Sequence, residues 1–184
     1  MEYKTRSYPL FAACGLNCGL CPRFYTVGSS RCPGCAAEGF SEVHPSCGML
    51  SCCQRKGLEY CFECDEYPCK KYDGWGDADS FITHRNILKD TEKAKRIGIE
   101  AYKAELNEKV ELLQELLKNY DDGRRRSFFC LAVNLLELQD IKAGIEKMAV
   151  KVEADAPIKT KAAIAVKLFE DIAEQRGETL KLRK

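Results

Sequence analysis

Eleven of the chain's twelve cysteines, at positions 14, 18, 21, 32, 35, 47, 52, 53, 61, 64 and 69, fall within 56 consecutive residues; only Cys130 lies outside. The same region is poor in core-building side chains. Met1 to Trp75 holds 11 Leu, Ile, Val and Phe residues, about 15%. Below about 20%, a segment has trouble burying enough apolar surface to offset its chain entropy, so this one needs cross-links. Disulfides require an oxidising compartment, and the opening Met1-Glu2-Tyr3-Lys4 lacks the apolar region of a signal peptide. A cytoplasmic location is therefore expected, with thiolates on a metal ion as the cross-link.

The spacings support a metal. Cys14-x3-Cys18-x2-Cys21 is followed by Cys32-x2-Cys35, Cys47-x4-Cys52, Cys61-x2-Cys64 and, after four more residues, Cys69. In a C-x2-C pair a tight turn aims two thiolates at one cation, and a second pair completes a tetrahedron. Three such pairs occur, and Pro33-Gly34 suits the turn between Cys32 and Cys35. Two zinc sites of four cysteines each are expected. One would use Cys18, Cys21, Cys32 and Cys35, and the other Cys47, Cys52, Cys61 and Cys64, with Cys14 and Cys69 able to replace members of either set. The alternative is an iron–sulfur redox protein or enzyme using Cys14, Cys18 and Cys21 plus a distant cysteine such as Cys69. Both chemistries accept four thiolates.

From about Asp77 onward the composition is helix-forming, with one Pro and four isolated glycines. Phe81, Leu88 and Ile97 outline a first helix that Asp79 or Ser80 would cap. Ile99, Tyr102, Leu106, Val110, Leu113 and Leu117 form the stripe of a second, closed by Asp121-Asp122-Gly123. Phe128, Leu131, Leu135, Leu138, Ile141, Ile145, Met148 and Val152 predict one continuous third helix. Asp155 and Pro157 open a fourth, carrying Ile158, Ala162, Ala165, Phe169 and Ile172 and stopping near Gly177, after which Lys181–Lys184 reads as a frayed tail. The expected fold is mainly α: an irregular, metal-stabilised Cys-rich module over 1–75, then an antiparallel helical bundle over 76–184.

The segment Cys14-Gly15-Leu16-Asn17-Cys18-Gly19-Leu20-Cys21-Pro22 resembles the opening of an uncharacterised Cys-rich bacterial and archaeal family, the domain of unknown function thirty-seven ninety-five. Cys32-Pro33-Gly34-Cys35 is similar to its later C-x-G-C. Cys47 and Cys52 with Lys56-Gly57, and Cys61, Cys64, Tyr67, Pro68 and Cys69, resemble its remaining pieces. The resemblance covers about residues 10 to 72. It implies a metal-binding module with Cys52 rather than Cys53 as ligand, and it implies no activity. A looser resemblance to longer members runs from Gly123 through Cys130 to Leu136.

Other features have bland readings. His44 and His84 read as surface or hydrogen-bonded residues rather than ligands. Cys130 reads as a small packed side chain, although Ser127 and three arginines offer an environment that favours a thiolate. Arg124-Arg125-Arg126 reads as a solvated turn. With 29 basic and 28 acidic side chains the formal charge is +1, which argues against a dedicated nucleic-acid binder. No run of about 18 apolar residues suggests a membrane span. There is no G-x-G-x-x-G or phosphate loop, and no catalytic residue stands out. The expectation is a non-catalytic zinc-binding protein that acts as a structural module or engages a protein partner.

Overall fold

The computed structural model describes residues 3–153 and 155–184; Met1 and Glu2, which open both the stretch read for a signal peptide and the 1–75 segment, lie outside them. The regular structure is helical, and no strand forms among the described residues. In the first 75 residues two short helices, α1 (Phe40–Val43) and α2 (Gly48–Lys56), stand among 3-10 turns at Cys18–Leu20, Pro22–Tyr25, Cys61–Glu63 and Lys70–Tyr72. Five longer helices follow: α3 (Ile87–Ile97), α4 (Ile99–Tyr120), α5 (Arg126–Leu135), α6 (Leu138–Lys151) and α7 (Ile158–Gln175). No helix among the described residues is long and apolar enough to cross a membrane.

The stripe of α4 explains its place. Tyr102, Leu106, Val110, Leu113 and Leu116 are buried, and α4 packs against α3, α5, α6 and α7. Leu117, expected on this stripe, is only half-buried, and Leu116 takes the inward position. The main core adds Phe129, Val133, Ile141, Met148, Ala165 and Phe169 from the later helices. Phe11, Leu20 and Tyr60 reach into it from the Cys-rich region. A second cluster belongs to that region alone and is made of smaller groups: Ala12, Ala13, Cys14, Cys35, Ala36 and Cys53, with Phe40, Met49 and Leu50.

Three expectations change. The first long helix starts at Ile87, and Phe81, Leu88 and Ile97 are all exposed. Its inward face is Ile87, Asp90, Thr91 and Ala94, half of it polar, because that face pairs with other polar groups. Asn17 Nδ2 donates to Asp90 at 2.8 Å and to Asn134 Oδ1 at 3.1 Å, while Tyr102 donates to Asn17 Oδ1 at 2.9 Å.

The third helix is two. The chain turns extended at Leu136, whose carbonyl is captured by the buried Lys109 ammonium at 2.7 Å. Next to it, Glu137 pairs with Lys89 at 2.8 Å and Lys93 at 3.3 Å. Lys109 thus partners a backbone carbonyl left over by the interrupted helix, and the Glu137 ion pairs tie the break to α3.

The tail is held, not frayed. The backbone N–H of Arg183 donates to Asp79 at 2.8 Å, its guanidinium pairs with the same carboxylate at 2.9 Å, and Arg85 binds the carbonyls of Thr179 and Lys181. Asp79 also accepts from the Thr83 hydroxyl and the His84 N–H, so it organises the 79–84 turn instead of capping a helix.

Candidate metal centre

The eleven clustered thiols separate into two groups. Cys14, Cys18, Cys21, Cys32, Cys35 and Cys47 line a cavity of about 570 Å³. Cys52, Cys53, Cys61, Cys64 and Cys69 line a smaller one of about 60 Å³. Met49 and Lys71 line both, so the two adjoin. All twelve cysteines are free thiols. Cys47, expected beside Cys52, lies instead with Cys18 and Cys35. It precedes α2 and accepts from the Leu50 N–H, so α2 starts between the two groups and carries Cys52 and Cys53 to the other side.

Local backbone geometry places these thiols. Gly34 adopts φ +100°, and a Cβ there would meet the Pro9 carbonyl oxygen at 2.7 Å. The Cys32–Cys35 turn therefore lies directly on the 9–11 segment, where the Cys35 N–H donates to that same carbonyl at 2.9 Å. The other two C-x2-C pairs straddle single 3-10 turns, with Cys21 N–H bonded to Cys18 O and Cys64 N–H to Cys61 O, each at 3.1 Å.

Burial opposes ionisation of most of the first group. Burial pushes Cys14 and Cys18 well above the usual thiol range, and the closeness of Cys35 adds to the effect. Cys21 and Cys35 are raised for the same first reason, offset at Cys21 by the backbone N–H of Arg23 and at Cys35 by the charge of Arg6. Arg6 is itself buried. It pairs with Glu59 at 2.9 Å, donates to the Phe11 carbonyl at 2.8 Å and lies 4.9 Å over the Tyr60 ring. Its Nη2 is buried with no hydrogen-bond partner among the described residues.

The second group is less uniform. Cys61 is lowered to about 7, first by the hydrogen bond with Cys53, whose sulfur lies 3.2 Å away, then, against burial, by the Tyr72 hydroxyl and the charges of Arg6 and Lys71. Cys53 is raised by the same contact and by burial. The Lys56 ammonium donates to the Cys64 sulfur at 3.1 Å. Each group thus has a cation against a thiol, which favours the thiolate that metal binding requires.

No three His, Cys, Asp or Glu side chains among the described residues are gathered as a formed metal site. The donors fit zinc or iron–sulfur in kind and in number, six and five thiols where four are needed, but they line cavities without converging. Both histidines line the larger cavity with the first group, and one ring nitrogen of each is already engaged. His44 stacks on Phe40 at 4.5 Å with Nδ1 at 2.7 Å from the Pro45 carbonyl, and His84 stacks on Trp75 at 5.3 Å with Nε2 at 3.2 Å from Ser80. Cys130 is buried in the main core, and burial raises its pKa.

Residues 10–74 match the family described as Protein of unknown function (DUF3795). No curated protein and no solved structure matches the chain. The DUF3795 segment contains every cysteine that lines the two cavities. Arg6 lies just before it. That arginine carries no spacing signal, and its role emerges only when Phe11, Cys35 and Glu59 are brought around it. Lys56 was legible as part of a Lys-Gly turn but not as a partner of Cys64.

Proposed function

We propose that the Cys-rich region is a thiolate metal-binding module holding two zinc ions. One ion would be bound by four of Cys14, Cys18, Cys21, Cys32, Cys35 and Cys47, the other by four of Cys52, Cys53, Cys61, Cys64 and Cys69. The observation that carries the reading is the division of eleven thiols into two adjoining sets, each with more than four donors and each with a cation whose charge or hydrogen bond favours one of its thiolates. The role is structural: a core built largely of Ala and Cys gains its cross-link from the ions, which draw the thiolates inward. Eight thiolates and two divalent ions shift the formal charge by −4, from +1 to −3, which favours protein partners over nucleic acid.

Metal analysis of protein purified without oxygen tests this. Two zinc ions per chain are expected, with zinc-edge absorption showing four sulfur neighbours at about 2.3 Å; less than one ion per chain overturns the reading. Cys61→Ser combined with Cys64→Ser leaves three thiols in the second set and should lose the second ion and keep the first, whereas loss of both, or of neither, breaks the division into two sets.

The cavity of about 570 Å³ favours a second reading for the first set alone. It is far larger than a single ion needs, a water's share of liquid being about 30 Å³. An iron–sulfur cluster on Cys14, Cys18 and Cys21 with a fourth thiol would occupy more of it. Brown protein with absorbance near ~400 nm, bleached by reductant, would select this reading over zinc.

A further inference from the structure

The larger cavity has more than thiols around it. Its walls include Phe24, Trp75 and Phe81, and its volume of about 570 Å³ lies within the range of small-molecule sites, about 300–1,000 Å³. Phe81 is 64% exposed, unusual for a phenylalanine, and its ring lies 5.1 Å beneath the Arg23 guanidinium. The charged lining is one-sided. Arg23 and Lys71 line the cavity and no Asp or Glu does, in a chain with 28 acidic residues. Arg23 donates only to the carbonyls of Ser30 and Val43, and Lys71 makes no ion pair among the described residues. Both cations therefore face the cavity region without a carboxylate to neutralise them.

We propose that this cavity binds a small organic anion with an apolar body, the body against Trp75, Phe24 and Phe81 and the anionic head toward Arg23 and Lys71. An apolar enclosure with a few oriented charges is how small-molecule sites combine affinity with specificity, and guanidinium binding to an oxyanion is among the stronger charge-assisted hydrogen bonds. The site shares the thiols at its base with the metal reading but stands on different residues.

Trp75 is the chain's single tryptophan, so its fluorescence reports on this cavity alone. Protein purified without oxygen would be titrated with 4-phenylbutyrate and with its uncharged amide, exciting Trp75 and measuring metal content in the same samples. A saturable emission change is expected, with the carboxylate bound at least about tenfold more tightly than the amide. Arg23→Gln should weaken carboxylate binding about tenfold and leave amide binding unchanged. Lys71→Gln, at an exposed position without an ion pair among the described residues, should weaken it severalfold, with metal content measured alongside because the Lys71 charge also acts on Cys61. No saturable change, equal binding of acid and amide, or indifference to both substitutions overturns the proposal. Metal-loaded protein that fails to bind sinks this inference and leaves the metal reading standing; metal-free protein that still binds does the reverse.

Discussion

The helical half and the Cys-rich region bury their interiors by different means. Around α4 the core is volume: Phe129, Phe169, Leu113, Leu116, Ile141 and Met148 are almost wholly enclosed. In the cluster that the Cys-rich region builds alone the enclosed side chains are mostly Ala and Cys, and the chain compensates by bringing backbone onto backbone, as where Gly34 meets Pro9. The first is a core that burial alone can hold, at about 25 cal/mol per Å² of apolar surface. The second has too little apolar surface for that, and sulfur takes up the positions where larger side chains would stand.

The sharpest way to break this contrast is to strip the metal proposed for the thiols. Verified metal-free protein should be cut by trypsin at Arg31, Lys56, Lys70 and Lys71 while α4–α7 stay protected; an unchanged digestion pattern would mean that the thiols are not what holds the region. Phe129→Ala removes a ring packed at 6.3 Å against Phe169 and should cost about 4 kcal/mol in urea unfolding. A loss under about 1 kcal/mol would show that the helical core does not depend on volume as argued.

A third test addresses the seam between the halves. Burial holds the Asp90 carboxyl up at about 6, against an ordinary 3.8, although Lys109 and Asn17 favour its ionised form. The folded chain thus keeps a proton that the unfolded chain releases between those values. This contribution to stability is whole below about pH 4 and is lost as pH rises through 6, by about 3 kcal/mol. Asp90→Asn should flatten that slope when urea unfolding is compared at about pH 4 and about pH 6.5; an identical slope in both proteins refutes the assignment. The smallest effect is expected at Gly34→Ala, about 2 kcal/mol from strained backbone and the approach to Pro9. A cost this size, read from the urea midpoint, would sharpen the view that close backbone approach matters in the Cys-rich region.

Much of the helical half was legible, because periodic apolar residues fix which face turns inward whatever lies opposite. Legibility ended where polar groups decide. Nothing near Leu135 or Leu138 marks a break, since the stripe runs through it without Pro or Gly; the break is made by Lys109, twenty-seven residues away. The inward face of α3 was likewise hidden, because Asp90 and Thr91 look solvent-facing until Asn17 is placed beside them. In the Cys-rich region the spacing identified the thiols as a set but not their division. C-x2-C fixes neighbours within a turn, whereas the place of Cys47 depends on where α2 begins.

The Asn17 hydrogen bonds also set a timetable for synthesis. Its partners are Asp90, Tyr102 and Asn134, the last of them 117 residues further along. At the usual elongation rate of about 5–20 residues per second, a ribosome needs roughly 6 to 23 seconds to make that stretch after residue 17. The last clustered thiol, Cys69, precedes Asn134 by 65 residues, so for roughly 3 to 13 seconds of that interval the whole thiol-bearing segment exists without all of the surface it finally docks on. All eleven clustered sulfurs are thus on the nascent chain before the helices that complete the fold have been made.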